Sequence, residues 1–269
     1  MPKAFSLASW NVEHFKEDLG RVDRVVDFLG AQNPDVFALY EVEGKEVFGA
    51  LTSKMPGYSF HITEGAQTQE ILVGVRGSLT AFFTQKVDFR SGTTHMRPGA
   101  LLTLRIHNVN YSVLFLHVAS GNDPRGMGLR DDMILRACDF RRTLNKAAGE
   151  PANYLFLGDL NTMGMKYPYQ RSIDAETELR KLEHEAKKVK MRPLGKDAAS
   201  TWSNGSKSSI PPSNLDHVVA ADHLMFRKFG DADVAVRGWP KELTVAKQDK
   251  WIRDYSDHGL LYLEVQRAD

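Results

Sequence analysis

The chain has 269 residues, 42% of them hydrophobic and 26% charged, the composition of an ordinary globular protein. Its net charge of +1 argues neither for nor against a polyanionic partner, so that argument falls to local charge. One cysteine, Cys138, excludes an intramolecular disulfide and fits a reducing compartment.

Ala4–Trp10 reads as a strand ending at Asn11-Val12-Glu13. Val22, Val25, Val26 and Leu29 follow at helical spacing, so Arg21–Gln32 is an amphipathic helix. Asn33-Pro34 ends it. Val36–Tyr40 is a buried-strand run ending at Glu41, and Lys45–Met55 a short helix closed by Pro56-Gly57. Tyr58–Thr63, Ile71–Arg76 and Leu79–Phe89 read as strands. Ala100–Ile106 and Tyr111–His117 form a hairpin. Gly126–Ala148 carries Leu129, Met133, Ala137, Phe140 and Leu144, the apolar stripe of a long helix. Tyr154–Leu157 is a strand buried on both faces, and it stops at Gly158-Asp159-Leu160-Asn161. From 166 to 212 comes a basic, helix-containing insertion: a charged helix over Asp174–Lys190, then a Ser-, Gly- and Pro-rich loop over Ser203–Pro212. Asn214–Ala220 and Val234–Val236 are strand-like, Arg237–Tyr255 is a basic loop with tryptophans, and Gly259–Val265 is the last strand. No linker divides the chain, so one domain is expected. No apolar run is long enough to span a membrane, and Met1–Ser6 lacks a signal-peptide core. The expected location is the cytoplasm.

Hairpin-length links between strands imply antiparallel pairing, and the two long amphipathic helices each need an apolar surface to cover. Two packed mixed sheets with helices on their outer faces, a four-layer α/β/β/α sandwich, satisfy both demands.

The polar residues that interrupt this pattern sit at strand ends: Trp10-Asn11, Tyr40-Glu41, Leu116-His117, Gly158-Asp159-Leu160-Asn161, Leu215-Asp216-His217 and Ser256-Asp257-His258. Residues two apart in a strand share a face, so Asp159 and Asn161 project together. If these ends meet, several carboxylates share one edge, which calls for a counter-cation. Oxygen-rich ligands select Mg²⁺ or Mn²⁺ over zinc, which has neither a His-Glu-x-x-His nor a Cys pair here. A hard metal with Asp, His and amide groups suits phosphate ester hydrolysis.

In this order the motifs resemble the endonuclease/exonuclease/phosphatase superfamily, the deoxyribonuclease I-like fold, from Trp10-Asn11 to Ser256-Asp257-His258. The resemblance implies Glu41 as the principal metal ligand, with Asn11 supporting metal and phosphate and Asp257 beside the metal. Asp159 would orient or deprotonate the attacking water, and Asn161 would bind the scissile phosphate. His258 would contact the phosphate or take the water's proton, its tautomer fixed by Asp216. His117 matches the branch with His at this point, as in deoxyribonuclease I and the neutral sphingomyelinases, and reads as general acid or phosphate donor. Apurinic endonucleases carry Tyr there, which argues against base-excision repair. In lesser roles, Glu13 would be an accessory acid, Glu70 would orient His117, and Arg97 would face substrate.

Other polar and aromatic features have plainer readings. His217 faces away from Asp216 and is structural. Cys138, Phe37, Phe115 and Phe156 are packing. The basic run Arg180–Lys196 is either a flap over a phosphate backbone or a solvated helix with a Glu183–Lys187 pair, and Arg237–Arg253 is either a nucleic-acid contact or a surface loop whose tryptophans pack on the sandwich. A nuclease on DNA or RNA is the expected function. A phosphatase or phosphodiesterase on phospholipid, inositol phosphate or small nucleotide is the alternative, and an inactive binding protein a third. Oligomeric state is not legible.

Overall fold

The computed structural model describes residues 2–16, 18–65 and 69–267. Its strands form two mixed sheets. The first contains β1 (Lys3–Phe15), β2 (Val36–Val42), β3 (Tyr58–Ile62) and β4 (Glu70–Arg76). The second contains β5 (Thr80–Lys86), β6 (Gly99–Ile106), β7 (Val109–His117), β8 (Asn153–Asp159), β9 (Met191–Pro193) and β10 (Asp216–Ala221). The chain then returns to the first sheet with β11 (Met225–Phe226), β12 (Ala235–Arg237) and β13 (Leu260–Gln266). Strand orders are β11-β13-β1-β2-β4-β3, with β12 also on β13, and β5-β6-β7-β8-β10-β9.

Each sheet has one parallel pair, β1 with β2 and β7 with β8. A parallel pair needs a crossover, and the two helices with apolar stripes supply them: α1 (Leu19–Gln32) and α3 (Pro124–Ala148). α3 starts two residues before the sequence pattern suggests. Asp123 caps it by accepting from Arg125 N and Gly126 N, and Pro124 occupies the first turn, where a missing N–H costs nothing. α2 (Lys45–Lys54), α4 (Ala175–Lys188) and α5 (Val245–Asp254) complete the outer layers.

Three apolar clusters follow from strand alternation. Phe5, Leu7, Ala38, Tyr40, Val113, Phe115, Leu155 and Leu157 fill the space between the sheets. Trp10, Phe37 and Leu39 face outward under Val22, Val26, Leu29 and Leu51. Leu114, Leu116, Tyr154 and Phe156 face outward under Met133, Ala137 and Leu182. This is the expected four-layer sandwich.

Arg237–Tyr255 is not a loop. It holds a short 3₁₀ turn at Trp239–Lys241 and then α5, capped by Thr244, which buries Trp251 against Trp10 and Tyr255 at ring separations of 5.8 and 5.0 Å. Leu79–Phe89 likewise splits into β5 and a 3₁₀ turn at Val87–Arg90. The edge strands β9 and β11 are too short to show a period. Among the described residues no helix is long and apolar enough to cross a membrane.

Candidate active site

Strand parity carries most of the polar strand ends to one place. In β8, Leu155 and Leu157 face the sheet interface, so Asp159, two residues on, faces it too. His117 follows Val113 and Phe115 on the inner face of β7, and Asp216 precedes Val218 and Ala220 on that of β10. Asn11 extends the inner row of β1 that contains Leu7. By the same parity His217 faces outward, where its Nε2 meets Thr162 Oγ1 at 2.8 Å and Asn214 O at 2.9 Å.

Glu41 departs from the rule. Its neighbours Phe37 and Leu39 face the helix layer, so an unbroken strand would point Glu41 away from the interface. Instead its φ is +64°, and the register breaks beside it, between Leu39 and Val42 where β2 meets β4 and between Asn11 and Phe15 where β1 meets β2. A bulge at a strand end re-aims a side chain, and holding a non-glycine residue there costs about 1–3 kcal/mol. Gly158 is fixed by the opposite need. Its φ is +143°, and a Cβ would lie 1.9 Å from Leu116 O, so only glycine lets β7 and β8 close behind His117 and Asp159.

The side chains converge tightly. Asn11 Nδ2 donates to Glu41 Oε1 at 3.1 Å and to Asp159 Oδ2 at 3.0 Å. Asn161 N donates to Asp159 Oδ1 at 3.0 Å. His117 Nε2 stands 3.7 Å from Glu41 Oε1 and 3.6 Å from Asp159 Oδ2. His258 Nδ1 is hydrogen-bonded to Asp216 Oδ2 at 2.8 Å, which turns its Nε2 toward Asp159 Oδ2 at 3.8 Å. Asp257 Oδ2 accepts from Trp202 Nε1 at 2.6 Å, and its Oδ1 lies 3.9 Å from His258 Nε2. Glu41, His117, Asp159, Asn161, Asp257 and His258 line a cleft of about 560 Å³, whose wall also includes Arg97, Ser120, Met163, Lys166 and Ile210, while Asn11 and Asp216 stand behind it.

Burial sets the charge states. Burial opposes a charge on His258, but the Asp216 and Asp159 carboxylates outweigh it and raise its pKa, favouring the imidazolium. Burial drives His117 well below the usual histidine range, helped by Arg97 and His258, so this ring is neutral. Its Nδ1 has no hydrogen-bond partner among the described residues, and its Nε2 faces carboxylates, which favours the Nε2–H tautomer. Burial, then the nearby Asp216, push the Asp159 carboxyl up.

That imbalance suits a divalent cation. Glu41, Asp159 and Asp257 present oxygen donors to the cleft, a set that fits a hard ion. Asp159, Asp216 and His258 also lie within 4.8 Å of one another, but the His258–Asp216 hydrogen bond accounts for that closeness without an ion. Glu41 and Asp257 line the same cleft, but among the described residues they do not group with Asp159 at that closeness.

Three of the expected site residues make contacts other than those expected. Asn11 presents nitrogen to the carboxylates while its Oδ1 accepts from Glu13 N at 3.0 Å; a backbone N–H can only donate, so this fixes the amide orientation. Asn11 thus holds Glu41 and Asp159 through its amide nitrogen. Glu70 does not orient His117. Its carboxylate accepts from Thr63 Oγ1 at 2.5 Å and Gly65 N at 2.7 Å. Glu13 is outside the cleft lining, packed near Asp257 and Arg21. Arg97 does line the cleft, its Nε donating to Gln69 O at 2.6 Å.

The basic runs are largely spent on structure. Arg192 donates to the carbonyls of Asp222 and Leu224, and Lys196 to Asn214 and the Asp216 carbonyl. Arg237 bonds Gln32, Lys241 pairs with Asp197, and Trp239 and Trp251 are buried. Lys188 pairs with Glu185, in place of the expected Glu183–Lys187 pair. Trp202, Ser120 and Lys166 reach the cleft without a sequence signal of their own, beyond Trp202's place at the head of the Ser-, Gly- and Pro-rich loop.

The layering of the two sheets and the position of the cleft at their strand ends make this a deoxyribonuclease I-like fold. The model of the Endonuclease/Exonuclease/phosphatase family matches residues 8–258, and the chain belongs to that family. Solved structures similar to it include truncated TDP2 of Caenorhabditis elegans (15% identity, 98% of this chain and 97% of that one, TM-score 0.68). Another is TDP2 of D. rerio complexed with single strand DNA product (16%, 98% and 99%, 0.62). A third is a mannosyl-6-phosphatase of Bacteroides thetaiotaomicron (13%, 98% and 100%, 0.63). At these identities the likeness is one of fold. No curated protein sequence matches the chain.

Proposed function

We propose that the chain is a phosphodiesterase that uses Mg²⁺ or Mn²⁺ to hydrolyse nucleic acid. The observation that carries this reading is the His258–Asp216 pair aimed across 3.8 Å at Asp159, in a cleft that also holds Glu41 and Asp257. Asp159 is both buried and held by two donors, as a group that orients a water and takes its proton should be. His258 as imidazolium and His117 through Nε2–H then serve as donors to phosphoryl oxygens, where charge builds up in the transition state. Asn161 spends one amide N–H on Val118 O at 3.2 Å and has a second for the phosphate. A divalent cation held by Glu41 and Asp257 would supply charge neutralisation at the phosphoryl group. The cationic wall groups Arg97 and Lys166 support an anionic substrate, and the single strand DNA product held by a similar fold supports nucleic acid as its class.

The test is a substrate panel of plasmid, single-stranded DNA, RNA and bis-p-nitrophenyl phosphate, each with Mg²⁺, Mn²⁺ or chelator. Metal-dependent cleavage of a nucleic acid is expected. Hydrolysis of the small diester alone would move the assignment to small phosphate esters, and no hydrolysis at all to a binding protein.

A further inference from the structure

We propose that the loop from Lys166 to Ser172 is a base-stacking arm that holds a single-stranded polynucleotide beside the reacting phosphate. The inference rests on the phosphodiesterase reading above and adds to it where the chain of the substrate runs. Every residue from Lys166 to Ser172 is exposed, yet the run includes two aromatics, Tyr167 at 38% and Tyr169 at 85% exposure. Neither ring belongs to an apolar cluster of the fold, and their one ring contact among the described residues is with each other, edge to face at 6.0 Å. Large exposed aromatics grouped together mark a contact surface rather than a fold requirement. Here they are flanked by cations, Lys166 before and Arg171 after, the combination that stacks bases and pairs with the backbone of a single strand.

The loop's position and rigidity point the same way. Its stem opens directly from the active cleft, because Met163, Lys166 and Ala175 are all wall residues. Met165 and Ile173 close the stem by exchanging backbone hydrogen bonds of 2.7 and 2.9 Å, and Lys166 N donates to Asn122 O at 2.6 Å. Gly164 makes that closure possible, since its φ is +75° and a Cβ would sit 2.4 Å from Ile173 O. The Gly164 N–H is fixed in turn by the buried Glu178 carboxylate at 2.8 Å. An arm anchored in this way loses little freedom on binding, which favours affinity. A cleft of about 560 Å³ admits a phosphodiester and its immediate substituents, while a strand leaving it meets the two tyrosines.

The double variant Y167A/Y169A tests this. Binding of a fluorescein-labelled single-stranded oligonucleotide is measured by anisotropy with the metal chelated, alongside kcat/KM for oligonucleotide and for bis-p-nitrophenyl phosphate. Stacking contributes about 1–3 kcal/mol per base, so oligonucleotide Kd should rise about tenfold or more. The ratio of oligonucleotide to small-diester kcat/KM should fall by a similar factor, and Y167F/Y169F should restore both. Unchanged Kd, or an equal loss on both substrates, would overturn the arm while leaving the phosphodiesterase assignment standing. Failure of the unaltered protein to bind or cleave any oligonucleotide while still hydrolysing the small diester would overturn the nucleic-acid reading first, and this inference with it.

Discussion

Glu41 shows how much one residue can hide. It ends an apolar run like the other strand-end acids, but alternation would send it to the helix layer, and only its left-handed backbone returns it to the cleft. No pattern in the sequence announces that bulge. As a ligand to the proposed cation, Glu41→Gln should raise the Mg²⁺ concentration for half-maximal activity about tenfold or more, read from a metal titration. Asn11 was legible as a site residue but not in its role, because which amide atom faces the carboxylates depends on the Glu13 N–H.

The His258–Asp216 pair has a signed pH dependence. The His258 pKa lies above its unfolded value, reaching about 10. Its contribution to stability is therefore full below pH about 6.5 and is lost as the pH rises through the folded value. Asp216→Asn should cost about 3 kcal/mol or more at pH 6, and that cost should shrink toward pH 10, in urea melts with chelator present. A pH-independent cost would mean the pair is not ionic.

At the scale of elements, one buried ion pair fixes two of the loops around the cleft. Arg130 of α3 donates to Glu178 of α4 at 2.6 and 3.1 Å, to Gly121 O at 2.8 Å and to Gly164 O at 2.9 Å. It thereby ties the loop after β7 and the loop after β8, which carry Asn122, Asn161 and Met163 of the cleft wall, to the same two helices. Arg130→Met leaves Glu178 buried and unpaired and should destabilise by about 3–5 kcal/mol, measured by denaturant unfolding. The double change Arg130→Met with Glu178→Leu should recover much of that loss. The apolar stripes of α1 and α3 were readable in the sequence because packing imposes a period. α5 was not readable, because it is only ten residues long and fully buries Trp251 alone, with Ile252 packed beside it. The Arg130–Glu178 pair joins residues far apart in sequence, and nothing local marks it.

For the whole molecule, the four-layer sandwich and its cleft were visible as polar interruptions of buried strands, since each sits where alternation must end. Which surfaces meet substrate was not visible. The runs rich in Lys, Arg and Trp are used to hold loops and layers together, whereas Lys166 lines the cleft and two exposed tyrosines follow it in the chain. With a net charge of only +1, attraction of a polyanion is local. Oligonucleotide affinity should therefore fall with salt with a modest slope, about two to three phosphates' worth of released counterions. A slope near ten would indicate a far larger footprint than this cleft and its rim.

The proposed function requires the joint action of Asp159 and His258 on one phosphorus. It is tested most directly by single-turnover hydrolysis of bis-p-nitrophenyl phosphate with saturating Mg²⁺ or Mn²⁺, comparing the unaltered protein with Asp159→Asn, His258→Ala and the double variant. Each single change should slow the chemical step by about 10²–10⁴-fold, with near-ultraviolet circular dichroism unchanged. The double variant should be little slower than the worse single one, as for groups that act as a unit. Either single variant retaining near-normal turnover, with its fold intact, would contradict that joint action.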